Sequence, residues 1–396
     1  PVGHTLFSWL GIERRAYLSN EQFIHVSQQS TAPREKDEAV DIVGTGQHAS
    51  PPIPQQDLFG RWPFEPPDGA IRYLALCAYD GSAFDGWMGG KKSVQRVLER
   101  RLSGLLRHTV QVVSAGRTDA GVHARSQVFH FDADPSGDLS LIRKALGHGH
   151  GLPPQLQVYG LTKAPPGFHS RQSCIGKRYV YRILLGSCAP WELPYCWALD
   201  CSQSSLDKDD SKFFSITAMA SAAARLVGTH DFSSFCLADA TGKSCADPRG
   251  PVRRLWRLEV LHARGDFGAE RLLVIAEADK FLQRMVRMLV GTLVEAGRGR
   301  LTSEQVAAIL HQRQRSREVV TAPACGLMLD HVFYHDQQEE TLAGARAAPQ
   351  ANPLPGWPSP LHKDLPSELQ ADSRCDMNCE PADSAISTHR HGSDRG

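Results

Sequence analysis

The chain has 396 residues, 41% of them hydrophobic. That suffices for a buried core, yet no run approaches the roughly 20 uninterrupted apolar residues that a membrane-spanning helix needs. The formal charge of +1 hides a division: residues 1–70 carry 5 Lys/Arg against 9 Asp/Glu (−4), residues 71–335 carry 34 against 24 (+10), and residues 336–396 carry 5 against 10 (−5). A basic middle flanked by acidic ends suits a polyanionic partner such as RNA and disfavours an aspartate-nucleophile hydrolase of small substrates.

Residues 1–70 mix Gln, Ser, Pro and charge without sustained periodicity and read as a disordered N-terminal extension; the same holds for 336–396. Ten cysteines are irregularly spaced, with no CxxC pair, and are expected to be reduced thiols of a soluble intracellular protein, in the cytoplasm or nucleus. The sequence begins at Pro1 rather than Met, so an address to a mitochondrion or plastid stays open. Cys375 and Cys379, with His389 and His391, do not have the spacing of a structural zinc site, and no metal is expected.

From 71 onward, short apolar strands alternate with amphipathic helices. Residues 71–79 form an apolar, aromatic run that ends at the turn pair Asp80-Gly81 and predict a buried strand. Ser93 is placed to cap a helix with Val94, Val97, Leu98, Leu102, Leu105 and Leu106 on one face. A strand over 110–114, a tight loop over 116–121, a strand over 127–132, a helix over 139–146 and a strand near 156–161 complete one α+β unit.

A similar order follows: a strand over 178–185, a helix over 213–227 and strands over 252–262 and 271–278. The most regular helix then carries Phe281, Met285, Met288, Leu289, Thr292, Leu293 and Ala296 on one face, with Gly297 placed to stop it. Leu327, Leu329 and Phe333 alternate along a final strand. The expected architecture is two consecutive α+β halves, 71–165 and 166–335, sharing one sheet.

The loop at 116–121 is the natural mount for a reactive group. Glycines at both ends permit a sharp entry and exit, and Arg117, Thr118 and Asp119 lie between them, with His123 just beyond. In isolation, Asp119 can be read as an Asx-turn residue that only bonds its own backbone. The longer string Ala115-Gly116-Arg117-Thr118-Asp119-Ala120-Gly121-Val122-His123-Ala124, however, closely resembles the signature of the tRNA pseudouridine synthase A family.

Further landmarks follow in the family's order: Tyr79-Asp80-Gly81 with Gly86-Trp87; Phe168-His169 with Lys177-Arg178-Tyr179; residues 228–235; Phe281 with Met285-Val286-Arg287 and Gly291-Thr292; and Ala322 through Leu327. The resemblance spans roughly 71–334. It implies a pseudouridine synthase fold of class α+β, two RRM-like or ferredoxin-like halves sharing a central mixed, mostly antiparallel sheet with a catalytic cleft. It also implies a homodimer acting on structured RNA, most naturally the anticodon stem-loop of tRNA, with no cofactor.

Uridine isomerisation breaks the N-glycosidic bond, turns the base and joins C5 to C1′, so a carboxylate is needed, either as nucleophile at C1′ or as base at C2′. The resemblance places Asp119 in that role. It implies that Arg287 keeps the carboxylate charged and aligned, that Arg117 pushes into the RNA to extrude the target base, that Tyr179 stacks on the uracil, and that Leu327 walls the pocket. Each has a plainer reading: Arg287 as a solvent-facing helix residue, Arg117 as a phosphate contact, Tyr179 and Leu327 as core. His123 and His130 are expected to be structural, since the chemistry needs no imidazole.

Two segments depart from the family pattern. Met88-Gly89-Gly90-Lys91-Lys92 replaces Gln and a somewhat longer loop, and Ala278-Asp279-Lys280 replaces a Gly-Asn pair, bringing a second carboxylate near Arg287 in sequence. A non-catalytic RNA-binding protein on the same fold is the alternative these departures and the long tails suggest.

Overall fold

A computed structural model describes residues 24–25, 64–134, 138–147, 151–199, 214–237, 250–264 and 270–346. The chain divides into two units, Pro1–Leu361 and His362–Gly396, and every described residue belongs to the first. The cysteines and histidines at 375, 379, 389 and 391 lie outside the described residues, as do most of both expected tails.

Among the described residues eleven strands form one sheet: β1 (Ile24–His25), β2 (Ile71–Tyr79), β3 (Val112–Ser114), β4 (His123–Ala133), β5 (Leu156–Lys163), β6 (Gly176–Leu185), β7 (Trp197–Leu199), β8 (Gly228–Asp231), β9 (Val252–Arg264), β10 (Glu270–Ala278) and β11 (Leu327–Phe333). The order is β1-β9-β10-β6-β11-β4-β2-β5, with β3 beside β4, β7 beside β6 and β8 beside β9. Among the described residues only the β11–β4 and β6–β7 pairs are parallel, so the sheet is mixed and mostly antiparallel, as expected.

The seam between the halves is β11. It runs antiparallel to β6, with Leu327 opposite Tyr181 and Leu329 opposite Tyr179, and parallel to the start of β4, with Met328 opposite His123. Because β2 pairs along nearly all of β4, β11 and β3 share the other edge of β4. This brings the strand that follows the 116–121 loop beside the strand that carries Tyr179.

The helices are α1 (Val94–Leu106), α2 (Leu139–Leu146), α3 (Ile216–Ala224), α4 (Met285–Gly297), α5 (Ser303–His311) and α6 (Asp336–Arg346). Tyr179, Tyr181 and Ile183 join the main core with the helices, whereas Val180 joins a second cluster with Leu261, Leu273, Ile275 and Met328. The strand alternation predicted for β6 therefore holds, but both faces are buried, so polar residues on the second face need partners. Arg125 pairs with Asp330 at 2.7 Å, Arg178 with Glu277, and Trp256 Nε1 donates to Glu277 at 3.0 Å. Left unpaired, such buried charges would be strongly destabilising.

Several expectations change. Ser93 occupies the cap position of α1 but makes no side-chain cap; the first amides of the helix, those of Val94 and Gln95, donate instead to the carbonyls of Gly86 and Trp87 at 3.1 and 3.0 Å. The end of a loop has taken the place of a hydroxyl. Phe281 precedes α4 rather than lying on it, because Arg284 at the N-cap adopts the left-handed conformation (φ 61°) and the helix begins at Met285. The strand expected from 110 begins at Val112, and the helix expected over 213–227 spans Ile216–Ala224.

Past the expected boundary at 335 the chain continues as α6, which packs on β5 and β2 and buries Leu342. Four further elements have no counterpart in the sequence reading: β1, which falls within the expected N-terminal extension, β7, β8 and α5. The last had a visible signature, since Thr302 and Gln305 form a reciprocal capping box.

Candidate active site

The loop between β3 and β4 is held by main-chain atoms and by buried side chains from three directions. The Gly116 carbonyl accepts from the Ser114 hydroxyl (3.0 Å) and from Gln127 Nε2 (2.8 Å). Thr118 Oγ1 shares a buried hydrogen bond with the Tyr79 hydroxyl (2.8 Å), and the Thr118 carbonyl accepts from the Trp87 amide (3.0 Å). The Val122 amide closes the turn onto the Asp119 carbonyl at 3.2 Å. Gly86 lies so close that a Cβ there would fall 2.7 Å from Thr118 O, and its φ of +87° independently favours glycine.

The Asp119 carboxylate takes no part in closing the turn. Among the described residues it accepts no main-chain N–H, so the Asx-turn reading does not fit. Its partner is Arg287, whose Nη1 lies 3.5 Å from Asp119 Oδ2; the two side chains are 15% and 26% exposed. The pair is thus accessible from solvent, and at 3.5 Å it is a charge contact rather than a tight hydrogen bond. Arg287 is itself fixed by its Nε, which donates to the Ala322 carbonyl at 2.7 Å. Asp279 does not compete for it: that carboxylate accepts the Arg254 amide at 3.0 Å.

Tyr179 completes the cluster. Its ring meets Phe281 edge-on, with centroids 5.1 Å apart and planes at 87°. Burial, and secondarily the charge of nearby Asp119, push its phenol well above the ordinary range, so it stays protonated. Leu327 faces the same side of the sheet from β11 and is buried in the same core cluster. The segment before Leu327 is tied down by the Tyr181 hydroxyl donating to Pro323 O (2.8 Å) and by the Arg182 amide donating to Gly326 O (2.8 Å).

Of the five residues singled out from the sequence, Asp119, Arg287 and Tyr179 converge, Leu327 flanks them, and Arg117 stands apart. Arg117 is exposed and lines an open groove between α1 and β3. Sequence reading missed the bracing role of Gly86 and Trp87 and the anchoring Ala322 carbonyl. A main-chain oxygen leaves no mark in a side-chain pattern, so nothing pointed to Ala322.

Both histidines are structural. His123 Nε2 faces the Cys325 carbonyl at 3.1 Å, which requires a proton on that nitrogen, and Nδ1 accepts the Gly81 amide at 3.1 Å. The ring thus ties the end of β2 to the segment before Leu327. His130 is pushed down to about 2, chiefly by burial and then by the charges of Arg72, His169 and Arg171, so its ring stays uncharged near neutral pH.

A family model described as tRNA pseudouridine synthase matches residues 222–335. A tRNA pseudouridine synthase A from Methylobacterium nodulans is 38% identical over 272 residues, 66% of this chain and 96% of that protein. Those from Paramagnetospirillum magneticum (35% over 272 residues, 95% of the relative) and Lysinibacillus sphaericus (34% over 266 residues, 99% of the relative) match similarly. The chain belongs to the tRNA pseudouridine synthase A family. The relatives align over nearly their whole lengths with two-thirds of this chain, so the remaining third is additional to the family's shared part. Among the described residues no helix is long and apolar enough to cross a membrane.

Proposed function

We propose that this protein isomerises uridine to pseudouridine in tRNA, with Asp119 as the catalytic residue. The observation that carries the proposal is a carboxylate freed from its own turn and aligned by Arg287 next to a buried, protonated tyrosine. The uridine occupies the cleft with its ribose against Asp119 and its base against the Tyr179 ring, with Leu327 forming a wall. Asp119 acts at C1′ as nucleophile or at C2′ as base. In either route the N1–C1′ bond breaks, the C5–C1′ bond forms, C5 loses a proton and N1 gains one. The reaction is redox-neutral, and these side chains supply its needs without a cofactor.

Arg117 enters the space vacated by the extruded nucleotide, since C1′ and C5 are shielded in a stacked strand. The anticodon stem-loop is the substrate region we favour, and the active species is a homodimer, in keeping with the family resemblance. An intracellular compartment that holds tRNA follows from that role.

The test is to incubate the protein with tRNA transcripts and map pseudouridine chemically. Product is expected from the wild type and none from Asp119→Asn, with RNA binding retained within about threefold. Binding by a folded wild type that yields no pseudouridine from any tRNA pool would instead make this an RNA-binding protein on the same fold. Light scattering, with and without tRNA, decides the dimer.

A further inference from the structure

The groove that contains Arg117 has a volume of about 690 Å³ and is lined by four arginines, Arg96, Arg100, Arg117 and Arg171, against one acid, Glu99, with Met88 at its edge. Positions 96, 99, 100 and 103 form one stripe of α1, on the face away from Val94, Leu98 and Leu102, which are buried. The single acid is already engaged: Glu99 Oε1 accepts the Val112 amide at 3.1 Å and Gln95 Nε2 at 2.8 Å.

Arg96 and Arg100 are exposed and form no ion pair or hydrogen bond among the described residues. Their placement weakens the helix. Like charges four positions apart repel, and a cation in the first turn opposes the helix dipole, where α1 has no acidic residue to offset it. An anion bound in the groove would reverse both effects.

Resting on the reading of the site as a tRNA pseudouridine synthase, we propose that this groove holds the RNA strand flanking the target uridine, with Arg96 and Arg100 contacting consecutive phosphates. Arg117, two positions from Asp119, marks where the strand leaves the groove for the cleft. Met88, 43% exposed, supplies an apolar surface for one unstacked base. The loop that carries Met88 is closed by Asp85, whose carboxylate accepts the Lys92 amide at 2.9 Å, so that surface is held at the groove mouth. The departure from the family pattern at 88–92 thus falls on the substrate path rather than on the reacting atoms.

The experiment is charge reversal of both arginines, Arg96→Glu with Arg100→Glu, in the full chain. Both are exposed, and far-ultraviolet circular dichroism checks the fold. Filter binding to a tRNA transcript across a salt series, with steady-state pseudouridine formation, is expected to show Kd and KM rising about 10- to 100-fold. The slope of log K against log salt should fall by roughly one and a half to two, as for two lost phosphate contacts, with kcat at saturating tRNA within about twofold. Met88→Ala is expected to weaken binding several-fold without changing that slope. A folded double variant with unchanged Kd, KM and slope overturns the groove assignment while leaving the enzymatic reading intact. A wild type that forms no pseudouridine overturns the enzymatic reading, and the binding series still reports on the groove.

Discussion

Arg287 reaches Asp119 with one arm of its guanidinium, Nη1 to Oδ2 at 3.5 Å, while its Nε is held by the Ala322 carbonyl at 2.7 Å. The fork does two jobs, alignment of the carboxylate and attachment to the segment that leads into β11. A lysine could keep the charge but has no rigid fork to divide between them. Arg287→Lys is expected to lower kcat by about 10- to 100-fold with KM little changed, the signature of an interaction made in the transition state. Wild-type kcat in that variant would show that charge alone suffices.

Gly86 supports the catalytic loop by having no side chain. A Cβ would lie 2.7 Å from Thr118 O and 2.9 Å from Ala120 N, and the φ of +87° adds strain. Gly86→Ala is therefore expected to cost about 1–3 kcal/mol in stability and roughly 100-fold in kcat through displacement of Asp119. Gly89→Ala shares the positive φ but meets nothing within 4 Å, so it should lose some stability and little rate. Single-turnover kinetics with urea unfolding separates the two effects; equal rates in both variants would contradict the bracing role.

His130 couples stability to pH. Its folded value is pushed down to about 2 from 6.5, chiefly by burial, so below about pH 6.5 the unfolded chain binds a proton that the folded one does not. Its contribution is fully present above that pH and is lost as pH falls toward 2, at up to about 1.4 kcal/mol per pH unit. His130→Asn is expected to be less stable at pH 7, because its bond with Ser170 is disturbed, but to show a flatter profile from pH 6 to 4. Urea unfolding at three pH values measures both, and an undiminished slope would place the titration elsewhere.

The capping box of α5 is a separable element. Thr302 accepts the Gln305 amide at 3.2 Å, and Gln305 Oε1 accepts the Thr302 amide at 2.8 Å. Thr302→Ala is expected to destabilise by about 0.5–2 kcal/mol, seen as a lower thermal midpoint, with kcat and KM for tRNA unchanged. A loss of activity at temperatures where the variant remains folded would tie α5 to the site.

The sequence by itself determined the elements whose signals are local. The apolar run 71–79 and the helix 139–146 appear with the same bounds in the structure. The two-residue alternation of β6 put Tyr179 and Arg178 on opposite faces, and the ordered motifs carried the family and the candidate residues. What it left out was too short for periodicity, as with β7 and β8, or too polar, as with α6, which packs on β5 and β2 and buries Leu342.

Only the tertiary structure decided the partners. Asp119 could serve its own turn until the fold set its carboxylate against Arg287 rather than against a main-chain N–H of the loop. Arg287 could face solvent until α4 brought it to the loop, and Ser93 could cap α1 until Gly86 and Trp87 supplied the acceptors. Periodicity and turn chemistry depend on near neighbours in the chain. These partnerships depend on β11 joining β4 to β6, and that contact between distant segments has no periodic trace in the sequence.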